Sequence, residues 1–358
     1  MIERFFFGGV TPKGFSTQLE QMISGKENYT YILKGGPGTG KSQMMKKIAE
    51  RFASREDVTC FYCSSDPDSL DAVILHASKV IVVDGTPPHV SEPQFPGVCQ
   101  EIVDLGQCWD KAVLKENRER IIKAKELNKS MMAAAGNYNK ALGLICDDTY
   151  TCAESFADKR RIEEAAQGLC DSLFKNRETR NSRGEQAIRQ LSVMTKDGYL
   201  TLPDAVESCS KVYILEDKLF AASSMLIGFA KKRAMDYGYN IKLSQCLISA
   251  LPINEHLLID EINVALMTSN PLTKITSEKA EYIDCSMYYD SDQMRSYEKH
   301  FAANQSLIDT IAGASRDMLE NAKRIHDEME RYYISAMDFD ALNRVCETIC
   351  TEIEQRCR

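Results

Sequence analysis

The stretch Tyr31-Ile-Leu-Lys-Gly-Gly-Pro-Gly-Thr-Gly-Lys-Ser42 decides the fold, because it joins a short apolar run to a glycine-rich loop that ends in lysine and serine. Gly35, four further residues and then Gly40-Lys41-Ser42 match the pattern of a phosphate-binding loop. The apolar run at residues 31–33 predicts a strand before the loop, and residues 43–52 predict a helix after it. This order of strand, loop and helix is typical of nucleotide-binding α/β proteins.

Each residue type in this loop has a chemical role in holding phosphate. Glycines let consecutive backbone N–H groups converge on phosphate oxygens, at a helix N-terminus whose dipole favours negative charge. Lys41 supplies a positive charge for the β- and γ-phosphates, and the Ser42 hydroxyl is a ligand for Mg²⁺. The sequence therefore predicts that ATP and Mg²⁺ are bound, with the nucleotide held by eight consecutive residues: Gly35, Gly36, Pro37, Gly38, Thr39, Gly40, Lys41 and Ser42.

Asp84 is the predicted second ligand for Mg²⁺, beside Ser42. It ends the apolar run Lys79-Val-Ile-Val-Val-Asp84, and in a parallel sheet that strand delivers the carboxylate to the same edge as the loop. The alternative is that Asp84 only ends the strand before a turn at Gly85. With Lys41, it completes the charged groups that phosphoryl transfer requires.

Three more carboxylates lie in the predicted loop Ser64-Ser-Asp-Pro-Asp-Ser-Leu-Asp71, which follows a strand-like run at residues 58–63. We assign a catalytic role to Asp66 and Asp68, with Asp71 as a further candidate, because one carboxylate at this edge is needed to orient water or accept a proton from a substrate hydroxyl. A turn followed by a helix cap explains the same residues equally well.

Basic side chains outside the loop are weaker candidates. His89 follows Asp84 in a proline-rich loop and either senses the γ-phosphate, contacts substrate or has neither role. Arg160 and Arg161 act from a lid as an arginine finger or belong to a solvated helix face.

Composition limits the class of protein. The chain of 358 residues is long enough for two domains, and its net charge of −8 argues against a broad nucleic-acid-binding surface. It contains no apolar run of membrane-spanning length, and its first residues do not resemble a signal peptide, so we expect a cytoplasmic protein without a membrane partner. The thirteen cysteines are expected to be reduced, and Cys60-Phe-Tyr-Cys63 lacks the second pair that a zinc site needs.

Beyond Trp109 the pattern changes from strands to helices. Apolar residues recur at steps of three and four, which predicts an antiparallel helical pair with a turn near residues 147–152. The apolar positions are Leu127, Met131, Ala135, Tyr138, Leu142 and Ile145, followed after the turn by Ile162, Ala166, Leu169 and Leu173. The pair either serves packing alone or forms a lid over the site.

The sequence also contains a second, degenerate copy of the loop region. Residues 213–227 lie 182 positions after residues 31–45 and keep their apolar frame, with Ser224 at the position of Ser42. Every glycine of the loop is replaced, and Ser223 stands in place of Lys41. Further matches follow at offsets of 184 to 180: residues 195–199 with 11–15, Cys246 with Cys63, residues 263–267 with 80–84, and the apolar helical positions at 311–325 and 342–353.

We therefore predict a duplicated α/β protein with mainly parallel, P-loop NTPase-like sheets, each followed by a helical hairpin. The first domain is residues 1–183, with its sheet at 1–110 and its hairpin at 111–183. The second is residues 184–358, with its sheet at 184–290 and its helical part at 291–358. Because the second copy lacks the glycines, the lysine and the acid, one nucleotide per chain is expected.

Four stretches together carry a resemblance to a known family: Thr11-Pro-Lys-Gly-Phe15, the loop itself, Asp66-Pro-Asp-Ser-Leu-Asp71 and Asp84-Gly-Thr-Pro-Pro-His89. With them the chain resembles a group of poorly characterised bacterial P-loop ATPases built from two tandem copies. The resemblance implies an intracellular ATPase or kinase-like protein. In that family the second half can carry its own phosphate loop, which this sequence lacks.

Three functions are consistent with these residues. The leading one is Mg-dependent ATP hydrolysis at one site in the first half, with the second half as a structural or regulatory copy. A kinase for a nucleotide or other small metabolite is the enzymatic alternative. The third is an ATP-dependent switch or scaffold with little turnover, in which the degenerate half or the helical hairpins recruit a protein partner.

Overall fold

The structure is a computed structural model that describes residues 2–17, 22–23, 25, 27–87, 90–175 and 182–356. It is an α/β protein with two mixed six-stranded sheets, in which most neighbouring strands are parallel. The prediction of an α/β fold with mainly parallel sheets is confirmed.

The first sheet contains the strand that precedes the loop. Its strands are β1 (Ile2–Phe6), β4 (Tyr29–Lys34), β5 (Val58–Tyr62), β6 (Leu70–Leu75), β7 (Val80–Asp84) and β8 (Gln100–Asp104), and β2 (Gly8–Thr11) and β3 (Gly14–Thr17) form a separate pair. The sheet order is β1-β5-β6-β7-β4-β8, and only β6 runs antiparallel to its neighbours. Strand β6 was not predicted. The prediction that residues 64–71 form a loop is therefore wrong at its end, where Asp71 lies buried within β6.

The second sheet has the same strand order. Its strands are β9 (Gln186–Ile188), β12 (Lys211–Glu216), β13 (Ile241–Gln245), β14 (Asn254–Ile259), β15 (Val264–Ser269) and β16 (Glu281–Asp284), and β10 (Ser192–Thr195) pairs with β11 (Gly198–Thr201). The order β9-β13-β14-β15-β12-β16 equals that of the first sheet when strands are counted along the chain, and only β14 is antiparallel.

The helices are α1 (Lys41–Phe52), α2 (Lys111–Glu116), α3 (Arg118–Glu154), α4 (Lys159–Leu173), α5 (Asp204–Ser208), α6 (Ala221–Asp236), α7 (Ser291–Ser296), α8 (Glu298–Ile334) and α9 (Phe339–Arg356). The predicted turn at residues 147–152 is wrong, because α3 continues to Glu154. Asp147 and Asp148 do not end the helix, since their carboxylates accept hydrogen bonds from Ser249 and Asn304. The next helix begins where the Asp158 side chain caps α4.

The chain divides into two compact units. Unit 1 comprises Met1–Gly9, Phe15–Ala135 and Arg316–Arg358, and unit 2 comprises Val10–Gly14 and Gly136–Ser315. These units differ from the predicted domains at 1–183 and 184–358, because the C-terminal helix α9 packs on α1 in unit 1 while α4 packs on α6 in unit 2. The domain boundaries that were derived from the two sequence copies stay a prediction.

The apolar positions of the predicted hairpins therefore have other neighbours than expected. Ile162 and Ala166 of α4 belong to a core with Leu226 of α6 in unit 2. Leu127 and Tyr138 of α3, also predicted to face the hairpin seam, are 44% and 40% exposed. A helical period of apolar residues indicates a buried face without specifying which element covers it.

Unit 2 contains a buried polar network in its sheet. Glu255 accepts a hydrogen bond from the Tyr199 hydroxyl at 2.9 Å, and burial raises the pKa of Glu255 to about 7. The neighbouring His256 accepts from the Thr268 backbone N–H through Nδ1, at 3.1 Å, so its Nε2 carries the proton and donates to Ser192 Oγ at 2.6 Å. Burial lowers the pKa of His256 to about 3.

The twelve described cysteines are all free thiols, and nine of them are buried. Their environment agrees with the expectation of reduced cysteines that pack as small apolar side chains. Within the described part of the chain, no helix has both the length and the apolar character needed to cross a membrane.

Candidate active site

The glycine-rich loop lies between a buried strand and a helix of unit 1. Strand β4 is rich in aromatic and β-branched residues, its residues 30–33 are fully buried, and it leads directly into the loop. Gly38 and Gly40 have positive φ angles of 68° and 79°, a backbone conformation that fixes the start of α1 at Lys41. Among the described side chains none caps the N-terminus of α1, and its first turn carries no acidic residue. This helix end therefore presents backbone N–H groups and a positive dipole end suited to an anion.

Lys41 and Ser42 face the loop and the neighbouring strand. Lys41 Nζ donates to the carbonyl oxygens of Gly35 at 3.0 Å and Gly36 at 2.9 Å, so the side chain folds back over the loop. Ser42 Oγ accepts a hydrogen bond from the Leu70 backbone N–H at 2.9 Å. The lysine charge and the serine hydroxyl thus lie at the first turn of α1, where the sequence predicted them to act.

Asp84 lies beside Lys41 at the end of β7. The register of β4 and β7 pairs Leu33 with Asp84, so the parallel strands bring the carboxylate to the edge from which the loop begins. Asp84 Oδ2 is 3.6 Å from Lys41 Nζ, and Oδ1 accepts from the Thr86 N–H at 2.8 Å and its hydroxyl at 2.6 Å. Burial raises the pKa of Asp84, although the Lys41 charge opposes this effect. Binding of a cation would favour the ionised carboxylate in the same way.

The three carboxylates after β5 have separate environments. Asp66 accepts a hydrogen bond from Ser69 Oγ at 2.8 Å and pairs with Lys323 at 3.3 Å, an arrangement that fits the alternative of a turn. Asp68 is exposed. Asp71 is 7% exposed, and its negative charge contributes to the raised pKa of Asp84. Of these three carboxylates, Asp71 is therefore the one that the structure brings close to Asp84 at the end of β7.

Residues from the end of α8 also contact the loop, and the sequence did not predict them. Glu330 Oε1 accepts a hydrogen bond from the Gly38 backbone N–H at 3.1 Å. The Tyr333 ring covers Gly36, where a Cβ would lie 2.8 Å from a ring carbon. His326 Nε2 is 3.3 Å from Glu330 Oε1, and this hydrogen bond lowers the pKa of Glu330. Glu330 is therefore an anion bonded to a loop amide at neutral pH.

These contacts come from residues with helical spacing. Lys323, His326, Glu330 and Tyr333 follow one another at steps of three, four and three on α8, which places them on one helix face. Such a stripe of polar and aromatic residues was a readable signal. Its target was not readable, because Gly38 and Glu330 are 292 residues apart.

Other predicted residues lie elsewhere or outside the described chain. His89 lies outside the described residues. Arg160 pairs with Glu164 one turn away at 2.7 Å on an exposed helix face, and the Arg161 guanidinium lies 6.0 Å from the Tyr288 ring centre. Both arginines belong to unit 2. Within the described part of the chain, no group of three or more His, Cys, Asp or Glu side chains is placed to bind a metal ion.

The corresponding stretch of unit 2, residues 217–224, is filled by its own carboxylate. Asp217 is 2% exposed and accepts hydrogen bonds from the backbone N–H groups of Leu219 and Ser223, at 2.9 and 2.8 Å, and from the Tyr289 hydroxyl at 3.0 Å. Burial raises the pKa of Asp217, and these hydrogen bonds oppose that rise. An acid from the chain itself thus occupies the amides at the start of α6.

The strand next to this stretch carries no acid at the position of Asp84. Register pairs Leu215 with Thr268, as it pairs Leu33 with Asp84. By this register the position of Asp84 corresponds to Thr268, one residue beyond Met267, which the sequence pattern predicts as its counterpart.

Unit 1 therefore combines an uncapped helix end, a lysine, a hydroxyl and a partly desolvated acid within one loop-and-strand edge. Such a set can bind an anion with several oxygens together with a hard cation. Comparisons of this chain with protein-family models, with curated proteins and with solved structures find no match.

Proposed function

We propose that unit 1 binds Mg-ATP at Gly35–Ser42 (residues 35–42) and hydrolyses it, in a P-loop NTPase-like fold. The observation that carries the proposal is the meeting of three groups at one sheet edge. Lys41 and Ser42 begin α1, and the Asp84 carboxylate at the end of the adjacent parallel strand lies 3.6 Å from Lys41 Nζ. This is the arrangement that phosphoryl transfer requires, in which charge is neutralised around aligned phosphates.

Each residue has a defined role in this proposal. The loop amides and Lys41 bind the phosphates, for which Lys41 exchanges its two carbonyl contacts for phosphate oxygens. Ser42 and Asp84 are the two ligands for Mg²⁺, an ion that typically takes only one or two protein ligands and completes its shell with water and phosphate. When bound, Mg²⁺ neutralises charge on the phosphates. Of Asp66, Asp68 and Asp71, we favour Asp71 as the carboxylate that orients water or accepts a proton beside Ser42 and Asp84.

Steady-state phosphate release from ATP and Mg²⁺ tests the proposal. Lys41→Ala is expected to abolish the rate, whereas Lys46→Ala, a lysine on the same helix, controls for loss of charge on α1. Equal rates for wild type and Lys41→Ala would reject the site. Release that occurs only when a small-molecule acceptor is added would favour the kinase alternative.

We also propose that the two halves are copies and that only the first binds nucleotide. Support comes from the shared strand order and from matching contacts: Ser224 Oγ accepts from the Asn254 N–H at 3.0 Å, as Ser42 accepts from Leu70. The Asp217 carboxylate fills the loop amides of unit 2, where Ser223 stands in place of the lysine. Calorimetric titration with a non-hydrolysable ATP analogue is expected to give one site per chain.

The contact of Glu330 with the loop favours a second candidate function, that of an ATP-dependent switch. The Gly38 N–H that is proposed to bind phosphate is bonded to the Glu330 carboxylate, and one N–H cannot serve both anions fully. Nucleotide binding would therefore release the end of α8 from the loop. A segment that leaves the loop on binding is a means of signalling nucleotide state to a protein partner.

Hydrogen exchange separates these two functions. A switch predicts that the ATP analogue with Mg²⁺ increases amide exchange at residues 326–338 while hydrolysis remains very slow. An ATPase without a switch predicts measurable turnover and unchanged or reduced exchange in this segment. Both readouts come from the wild-type protein and need no substitution.

A further inference from the structure

A cavity of about 260 Å³ opens directly beside the loop in unit 1, between α1 and α9. It is lined by Gly40, Gln43, Met44, Lys47, Phe339, Leu342, Asn343 and Cys346. Gly40 is itself a loop residue, so the cavity adjoins the proposed phosphate site. Its volume is below the usual 300–1,000 Å³ of sites that enclose a whole small molecule. The cavity therefore fits part of a nucleotide whose phosphates lie outside it.

We propose that this cavity binds the base of the nucleoside triphosphate; this inference rests on the function proposed for the loop. Its walls contain apolar side chains and an exposed aromatic ring, two features that suit a planar base. Met44 and Leu342 are buried apolar side chains, and the Phe339 ring at the start of α9 is 43% exposed, unlike most of the large apolar side chains of the described chain. An exposed aromatic ring is a platform on which a heterocycle stacks.

The polar residues of the cavity suit the edge of a base. Asn343 Oδ1 accepts a hydrogen bond from Lys47 Nζ at 2.7 Å, which fixes the orientation of the amide. The amides of Asn343 and Gln43 supply both donors and acceptors, the groups that pair with the ring nitrogens and exocyclic atoms of a base. Among the residues that line the cavity only Lys47 is charged, and its ammonium donates a hydrogen bond to Asn343, so most of the lining is neutral, as the surface of a heterocyclic base is.

Comparison of ATP with inorganic tripolyphosphate tests this site, because the two share the phosphates and differ in the nucleoside. Phe339→Ala is expected to weaken ATP binding in calorimetry by roughly tenfold to a hundredfold, the range measured for loss of one base–aromatic stack, and to leave tripolyphosphate binding unchanged. Phe95→Ala is the matched control, since Phe95 is 39% exposed in the same unit but does not line the cavity. Asn343→Ala is expected to change the ratio of ATP to GTP affinity.

The possible results separate the two proposals. If Phe339→Ala weakens both ligands equally, or neither, the base site is overturned while the phosphate site stands. If the wild-type protein binds neither ligand, or if Lys41→Ala leaves both affinities unchanged, the proposed function itself is overturned and the base site with it. Circular dichroism of the Phe339→Ala protein distinguishes loss of binding from loss of folding.

Discussion

Replacement of Glu330 by alanine should make the protein bind ATP more tightly while making the nucleotide-free protein less stable. The Glu330 carboxylate accepts the Gly38 N–H at 3.1 Å, and its side chain is 31% exposed. Under the proposed function a phosphate oxygen needs the same N–H. The nucleotide must therefore break this hydrogen bond, and its affinity is lowered by the free energy of the contact.

The magnitude follows from the kind of hydrogen bond. A bond to a charged group contributes about 1.5–3 kcal/mol net, so Glu330→Ala should tighten ATP binding by about tenfold to a hundredfold. Glu330→Gln keeps a carbonyl oxygen but removes the charge. The neutral bond that remains contributes about 0.5–1.5 kcal/mol, so ATP binding gains only the difference of about 1–1.5 kcal/mol, which is about fivefold to tenfold. The partial exposure of the carboxylate places both estimates in the lower part of these ranges.

Isothermal calorimetry with a non-hydrolysable analogue and Mg²⁺ measures the affinity, and denaturant unfolding without nucleotide measures the stability. Glu328→Ala is the matched control, because Glu328 lies on the same helix and pairs with Arg324 at 3.1 Å on the solvated face. The two opposite changes must occur in the same Glu330 variant. If Glu330→Ala lowers the stability and also weakens or leaves unchanged the ATP affinity, the carboxylate supports the fold and does not compete with phosphate.

Three further predictions concern other parts of the chain. Gly40→Ala should destabilise the protein by about 1–3 kcal/mol and weaken ATP binding, because the φ of Gly40 is 79° and a Cβ would lie 2.6 Å from a side chain of α9. Gly313→Ala, at an open position within a helix, should stabilise the protein slightly. Thermal unfolding measures both changes in stability. Asp217→Ala should cost about 2–4 kcal/mol by leaving buried donors without an acceptor, yet calorimetry should still find one nucleotide per chain. The pKa of Glu255 is raised from 4.5 to about 7, so the folded protein keeps a proton that the unfolded chain releases. Glu255 therefore lowers the stability as the pH rises from about 4.5 to about 7. The pKa of His256 is lowered from 6.5 to about 3, so this residue raises the stability as the pH rises from about 3 to 6.5. Glu255→Gln should therefore make urea stability rise more steeply with pH between about 4.5 and 6.5 than in the wild type, where Glu255 opposes His256, and an unchanged pH profile would contradict the burial of an ionisable Glu255.

The sequence predicted those strands that are both apolar and flanked by clear turn residues. Val80–Asp84 begins one residue later than the predicted run at Lys79, and Val58–Tyr62 ends one residue earlier than expected. Strand β6 escaped prediction because Asp71 interrupts its apolar run, and the edge strand β8 escaped because its residues are largely exposed. Burial of Asp71 depends on β5 and β7 on either side, which local sequence does not reveal.

The candidate site divides in the same way, into what is local in sequence and what is not. Lys41, Ser42 and Asp84 were readable because a loop of fixed spacing and the end of a neighbouring strand bring them together by rules that hold for any parallel sheet. Glu330 and Phe339 were not, because they reach unit 1 from the far end of the chain, and helical periodicity predicts a buried face but not its partner. The two proposals that go furthest beyond the loop, competition by a carboxylate and a base site on α9, depend on those distant residues. The loop alone therefore predicts that a triphosphate is bound, and under these two proposals the C-terminal helices set how tightly it binds and with which base.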